Sequence, residues 1–381
     1  MIEVVDRIMG GYKTTDAINH MNDTNEKFMY VTPFLAEVDR VLKEVWNCST
    51  PNNWNTEGSK RVSLLDMANK GRNIVATHAL FKMLVRDDYS YFYDYELILD
   101  EVVDPIEVMD ITTDDIHMLI ATGKIVINSE TSVVSFTESG YDGTFTYLKQ
   151  LCATSNVVYV NDTFLVWNFP IEIFKSFKSV KILTYLFEGS ILSSYFKYSD
   201  IEYTLVKDDD SEKRAEIREK LNVYIGSEND IGNKPTAFSV NWFKNTVTKT
   251  ELKGMSERTK NLFGRKFKTG ASENAFTTFK DFQSQVKGGG YATGFIAVNS
   301  RATNNFSHKK SMAYFANRYM NPNVVKFFYD GGVSVNQDLW ALGELLQWVW
   351  RGNIRNKENN EMNLYVPSKR MRNLLMNWLN E

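Results

Sequence analysis

Asp100 and Glu101 close an apolar run, YELILDEVVD over Tyr95–Asp104. Such a run reads as a buried parallel strand that delivers its last residues to the carboxyl edge of a sheet, where open α/β folds bind ligands. A carboxylate pair at that edge has the form of a Walker B, or DExx, element. The first acid holds Mg²⁺, usually through its water, and the second orients or deprotonates the water that attacks a γ-phosphate. Two acids after an apolar run also occur at solvent-facing strand ends, so the pair needs company. Ile2, Val4 and Val5 form a short strand that enters DRIMGGYKTTDAINHMN, where Gly10, Gly11, Lys13, Thr14 and Thr15 precede an amphipathic helix. Strand, glycine-rich turn and helix is the setting of a phosphate-binding loop. Lys13 would reach the β- and γ-phosphates, Thr14 would share Mg²⁺ with Asp100, and the loop amides would cradle the rest. The template GxxxxGK[ST] is met incompletely, since Arg7 and Tyr12 stand at its two glycines. A residue with a Cβ atom before the lysine costs about 1–2 kcal/mol in the backbone shape such loops take. A plain surface turn ahead of a helix is the competing reading.

The second half carries its strongest pattern late. At about 100° per residue, Ala341–Arg355 places Glu344, Gln347, Arg351 and Arg355 in one narrow arc opposite Leu342, Leu345, Leu346, Val349 and Trp350. Guanidinium groups held in line ask for an anionic partner, and an arginine that reaches a γ-phosphate is worth several orders of magnitude in rate. The alternative is an amphipathic helix with a solvated polar face. Trp348, Trp350 and Trp378 are candidates to stack on bases or to pack in the core.

The elements that position these residues alternate strand and helix. FMYVTP and NIVATH are apolar strands ending in Thr32 and in Thr77 with His78, groups able to bond nucleic-acid phosphates, although His78 also suits an internal hydrogen bond. Residues 106–150 loosen into an elaboration with a hairpin-like piece near Ile125–Phe136. The sheet is expected to resume with a Val157–Val160 and Phe164–Trp167 hairpin and a strand over Val180–Leu186, giving a doubly wound parallel domain over 1–190. In 191–381 the expected strands are Thr236–Val240, Gly294–Val298, Val324–Phe328 and Leu364–Val366, with KGGGY at Lys287–Tyr291 as a hinge. The fold class is α/β, with two such domains, the second carrying the 341–355 helix.

At 381 residues the chain exceeds one ordinary core. With 43% hydrophobic and 24% charged residues, and no run of about 18 apolar residues, it reads as a globular protein without a membrane span, expected in the cytoplasm, that of a host if viral. Cys48 and Cys152 lack the spacing of a disulfide framework or a zinc site. A net charge of −3 argues against a wholly basic coat, yet KNLFGRKFK from Lys260 and KRMR from Lys369 mix cations with apolar residues, as a surface that tracks phosphates does. Each run is equally a solvated helix face.

The ordered series GGYKT, YVTP, NIVATHALF, LILDE, LTYLF and QWVWRGNIR resembles the motifs of superfamily 2 helicases, in the short DEAD-box-like form of bacterial viruses. FIAVNSRATNNF, YFANRYMNPNV, LWALGELLQWVWR and NLYVPSKRMRNLL resemble that viral group in particular. The resemblance implies two RecA-like domains with ATP and Mg²⁺ between them and single-stranded nucleic acid across the top. It assigns Lys13 and Thr14 to Walker A, Asp100 and Glu101 to Walker B, Thr184 to the coupling motif, and Gln347, Arg351 and Arg355 to the motif that senses ATP. Arg301, Thr303, Lys369 and Arg370 join Thr32, Thr77 and His78 as nucleic-acid contacts. Two departures stand out: the last two arginines are four residues apart rather than three, and TYLF replaces SAT. The implied activity is ATP hydrolysis coupled to movement on single-stranded or forked DNA, with RNA open, in phage DNA replication beside other viral replication proteins. Two alternatives are a packaging or remodelling ATPase, and a DNA- or replisome-binding module with a degenerate ATP site.

Overall fold

Neighbouring residues on a strand face opposite sides of its sheet. In the computed structural model, which describes residues 1–299, 305–356 and 361–381, both members of such pairs as Val4–Val5, Met29–Tyr30 and Ile98–Leu99 are buried. A sheet buried on both faces follows.

Five strands come first: β1 (Ile2–Asp6), β2 (Lys27–Thr32), β3 (Cys48–Ser49), β4 (Asn73–Thr77) and β5 (Tyr95–Asp100). A middle module holds β6 (Ile106–Val108), β7 (Ile125–Ile127), β8 (Val134–Phe136), β9 (Val157–Val160) and β10 (Phe164–Asn168). The chain then returns through β11 (Ser179–Thr184) and β12 (Thr204–Lys207). The main sheet has seven strands in the order β12-β1-β11-β5-β2-β4-β3, all paired in parallel. Helices α1 (Lys13–Asp23) and α2 (Leu35–Glu44) cover one face, laying Ile18, Met21, Val38 and Val41 on Val5, Tyr30 and Ile98. The other face is aromatic, with Phe81, Phe92, Phe169 and Phe177 against Leu97 and Leu99.

The expected hairpin over Val157–Trp167 is present but lies in a separate antiparallel sheet, β6-β10-β9. The reason is the turn. Asn161 and Asp162 both take positive φ, at 50° and 53°, and so tight a connection joins only antiparallel strands. The hairpin expected near Ile125–Phe136 is β7-β8.

The chain divides into two compact units, the first comprising 1–6, 12–207 and 321–335, the second 7–11, 208–320 and 336–381. The first unit extends past residue 190 because β12 pairs with β1. It also takes in the helix Pro322–Asp330, whose Val324, Phe327 and Phe328 pack on Ile106, Phe164 and Val166.

In the second unit β13 (Leu221–Val223), β14 (Asn274–Thr277), β15 (Ser311–Tyr314) and β16 (Met362–Tyr365) form a parallel sheet in the order β13-β16-β15-β14. Only the last of the four expected strands matches. Val324–Phe328 is helical because Asn321 caps it and Pro322 sits in its first turn, a signal that outweighs a β-branched run. Thr236–Val240 leads into the helix Val240–Asn245, where Ser239 accepts the Trp242 N–H. Gly294–Val298 reaches the sheet through a single bridge, Phe295 beside Phe276.

Candidate nucleotide site

The strand order places β5 between β11 and β2, so Asp100 emerges at the carboxyl edge of the main sheet, 8% exposed. Helix α1 begins at Lys13, and Thr14 Oγ1 donates to Asp100 Oδ1 at 3.2 Å. Burial and the neighbouring Glu101 push the Asp100 carboxyl up to about 7, against the lowering influence of the Tyr30 hydroxyl and Lys13. A hydroxyl and a carboxylate oxygen side by side are hard ligands of the kind Mg²⁺ takes. Among the described residues no cluster of three or more His, Cys, Asp or Glu side chains could hold a metal. The donor set is of a kind that suits Mg²⁺.

The backbone on both sides of this pair is left-handed. Tyr12, which precedes α1, has φ 58° and ψ 14°, and Glu101 has φ 68°. Tyr12 thus takes the shape for which a glycine is normally used, and the residue as a whole is 61% exposed. Glu101 is fixed in its turn by its N–H, which donates to Leu183 O at 2.9 Å. Strain of this kind gathers at functional sites. Gly10 has φ +77°, and a Cβ on Gly11 would lie 2.9 Å from Ile8 O, so both glycines are required. Residues 7–11 group with the second unit, where Arg7 pairs with Asp208 at 2.7 Å. Thr15 is exposed in the first turn of α1.

Asp6 is a residue the sequence reading passed over. It ends β1, and its carboxylate accepts the N–H groups of Leu186 at 2.7 Å and Phe187 at 3.2 Å, fixing the loop after β11. Burial raises its pKa. The signal was present, since IEVVD is an apolar run closed by an acid, as LILD is.

The strand-end contacts differ from expectation. Thr32 is wholly buried rather than presented at the sheet edge. The Thr77 hydroxyl accepts the Leu80 N–H and caps the short helix that half-buried His78 opens. Thr184 is 1% exposed. In the second unit Arg370 is engaged internally, with Asp338, Asn317 and the Arg318 carbonyl, and it stacks on Tyr319 at 4.4 Å. Lys369 is exposed at the start of the last helix. Arg301 and Thr303 lie outside the described residues.

The late helix is shorter than its periodicity implies. It spans Gln337–Val349, so Arg351 lies in a turn and Arg355 in a separate short turn of helix, and the four-residue arc does not form. Gly352 explains the stop. A Cβ there would lie 2.3 Å from Met312 Sδ and 2.4 Å from Met362 Sδ, so the backbone packs directly on side chains of the paired strands β15 and β16. Asn353 N–H then donates to Lys309 O at 2.9 Å. Glu344 is buried and pairs with Arg318 at 2.8 Å, Arg351 is buried, and Gln347 and Arg355 are half-buried. Trp348 and Trp378 are core residues, and Trp350 is half-buried.

No helix among the described residues is long and apolar enough to cross a membrane.

Two family profiles match: a YonV middle domain over residues 106–167 and a YonV C-terminal Rossmann-like domain over 215–379. The SPbeta prophage-derived uncharacterized protein YonV of Bacillus subtilis (strain 168) is 38% identical over 409 aligned residues, covering 99% of this chain and 98% of that protein. Among solved structures, an apo XPD matches with a TM-score of 0.55 at 12% identity, covering 99% of this chain and 95% of the other. The S. tokodaii Xpd4 structure matches with a TM-score of 0.51 at 12% identity, covering 99% and 93%. At 12% identity these likenesses show the fold alone, an α/β fold of two RecA-like parallel-sheet domains. They lend no support to the DEAD-box type in particular.

Proposed function

The chain belongs to the YonV family, and we propose that it is an ATP hydrolase that couples turnover to movement along single-stranded nucleic acid. The observation that carries the reading is the Thr14–Asp100 hydrogen bond at 3.2 Å. It joins the residue after the loop lysine to the first acid of the DE pair, two groups 86 positions apart whose meeting a shared cation would explain. In this proposal Gly10, Gly11, Lys13 and Thr15 bind the phosphates, while Thr14 and Asp100 hold Mg²⁺. Bound Mg²⁺ supplies charge neutralisation at the β- and γ-oxygens. The Glu101 carboxylate orients the attacking water and takes its proton, with the left-handed turn holding it at the sheet edge. Gln347, Arg351 and Arg355 are the second unit's candidates for answering the terminal phosphate.

The helicase fold supports a nucleic-acid partner, and the prophage origin of the B. subtilis relative supports a role in phage DNA replication. The test is ATPase activity with and without single-stranded DNA, forked DNA and RNA. Stimulation by at least one, abolished by Lys13→Ala and by Glu101→Gln, is the expected result. Hydrolysis that ignores every nucleic acid, or that survives both substitutions, would overturn the proposal.

A further inference from the structure

Two stretches singled out in the sequence have no part in the nucleotide site: the KGGGY turn and the basic run that opens at Lys260. In the second unit they border one open groove of about 360 Å³. One wall is the helix Lys249–Asn261 and the other is the turn Lys287–Gly289. At 100° per residue, Lys249, Lys253 and Lys260 fall within about 40° of one another, and at 1.5 Å per residue the row runs about 17 Å. Lys249 and Lys253 line the groove, as does Lys287 from the turn, and the stem of Lys260 lies beside Gly289.

The turn is anchored rather than hinged. Tyr291 is wholly buried and its hydroxyl donates to Val286 O at 2.7 Å, while Ser256 Oγ donates to the same carbonyl at 3.0 Å, tying the two walls together. The apolar floor is Leu252.

Fold stability does not account for these cations. Lys249 occupies the first position of its helix, where the macrodipole opposes a positive charge. Among the described residues Lys249, Lys253 and Lys287 are exposed and enter no ion pair. Glu257, the acid in the lining, faces Lys260 at 3.8 Å. Lys249 and Lys253, one helical turn apart, stand opposite a glycine turn that carries Lys287 and whose bare backbone lets a ligand approach closely, an arrangement that matches a chain of regularly spaced phosphates.

We propose that this groove is a second nucleic-acid track, holding the phosphodiester backbone of a single strand through Lys249, Lys253 and Lys287. The inference rests on the translocase reading for the class of its ligand, and its test separates the two. The full chain and its Lys249→Glu/Lys253→Glu/Lys287→Glu variant are titrated with labelled oligo-dT across a salt series, with anisotropy as the readout. The expected result is an affinity about tenfold lower at low salt, and a slope of log K against log salt shallower by about 2, for three lost contacts on a single strand. ATPase activity without DNA stays at the wild-type level, which also reports that the variant is folded. A Lys→Gln triple variant moves both readouts in the same direction by less. Wild-type affinity and slope in the reversed variant would overturn the groove and leave the translocase reading standing. No oligonucleotide binding by the wild-type chain would overturn both. Tighter binding of poly-glutamate than of oligo-dT, lost in the variant, would assign the groove to an acidic protein and overturn the proposal.

Discussion

The carboxyl edges of the two parallel sheets carry different chemistry. In the first unit β1 and β5 end in Asp6 and Asp100, with Glu101 next and Thr14 bonded across. In the second unit β14 and β15 end in Thr277 and Tyr314; these two residues and Thr278 are wholly buried, and their hydroxyls have no hydrogen-bond partner among the described residues. The buried acid of that unit, Glu344, is neutralised by Arg318. An edge rich in carboxylates can hold a cation and move a proton. One made of neutral hydroxyls carries no charge with which to neutralise a cation and no carboxylate to take a proton.

The largest effects expected from this contrast are kinetic. Lys13→Ala should remove both nucleotide binding and turnover, whereas Arg351→Lys should leave nucleotide affinity unchanged and lower turnover by about 10³-fold, the order assigned to an arginine that meets the terminal phosphate. Calorimetry beside a steady-state ATPase assay separates the two. An equal loss of affinity in both variants would erase the distinction between the edges.

Next in size is the buried pair of the second unit. Glu344→Ala leaves Arg318 without its carboxylate and should cost about 3–5 kcal/mol of that unit's stability. Denaturant unfolding is the measurement, and a loss below about 1 kcal/mol would mean that the pair is screened.

Asp100 sharpens the comparison through pH. Its carboxyl is pushed up to about 7 by burial and Glu101, and Mg²⁺ needs the ionised form. Mg²⁺-dependent nucleotide affinity should therefore fall as pH drops from about 8 to about 6, with a proton released on binding at the lower pH. The stability effect has the opposite sign. The folded state keeps a proton that the unfolded chain gives up near pH 4, so this stabilisation is complete below about 4 and is lost as pH rises through about 7. At pH above 7, Asp100→Asn should raise the melting temperature by about 2–4 °C, the shift for 1 kcal/mol in a unit of this size, while abolishing activity. A variant that melts lower at high pH would show that the carboxylate is not strained.

How much of this was legible depended on how local the signal was. Asp100, Glu101 and Thr14 were readable because an apolar run that stops at an acid, and a glycine turn that stops at a helix, each fix a residue at a sheet edge without knowledge of the partner strand. The meeting of Thr14 with Asp100 then depends on the strand order, in which β11 alone separates β1 from β5. The late helix was not readable past Val349, because what ends it is the approach of Gly352 to Met312 and Met362, contacts 40 and 10 positions away that periodicity cannot register. The helix Pro322–Asp330 was misread in spite of a local signal, since the Asn321 cap and Pro322 lay outside the VVKFF run that suggested a strand. The exposure of Thr32 and Thr77 was beyond reach, because a strand end is buried or bare according to what the next loop does.

The smallest effect tests the feature on which sequence and structure agree most closely. Tyr12 breaks the phosphate-loop template, yet it adopts φ 58°, the conformation the template reserves for glycine. A left-handed non-glycine residue costs about 1–2 kcal/mol, and Tyr12 as a whole is 61% exposed. Tyr12→Gly should therefore relieve strain in the loop, offset in part by the greater freedom of glycine in the unfolded chain, for a net gain of about 0.5–1 kcal/mol. If the strain is confined to the nucleotide-free loop, the gain appears as a higher melting temperature and a weaker response to added nucleotide. If it persists with nucleotide bound, stability rises equally in both states. A destabilised variant would mean that what the Tyr12 side chain contributes outweighs the strain, and that Tyr12 is an addition to the loop rather than a tolerated departure from it.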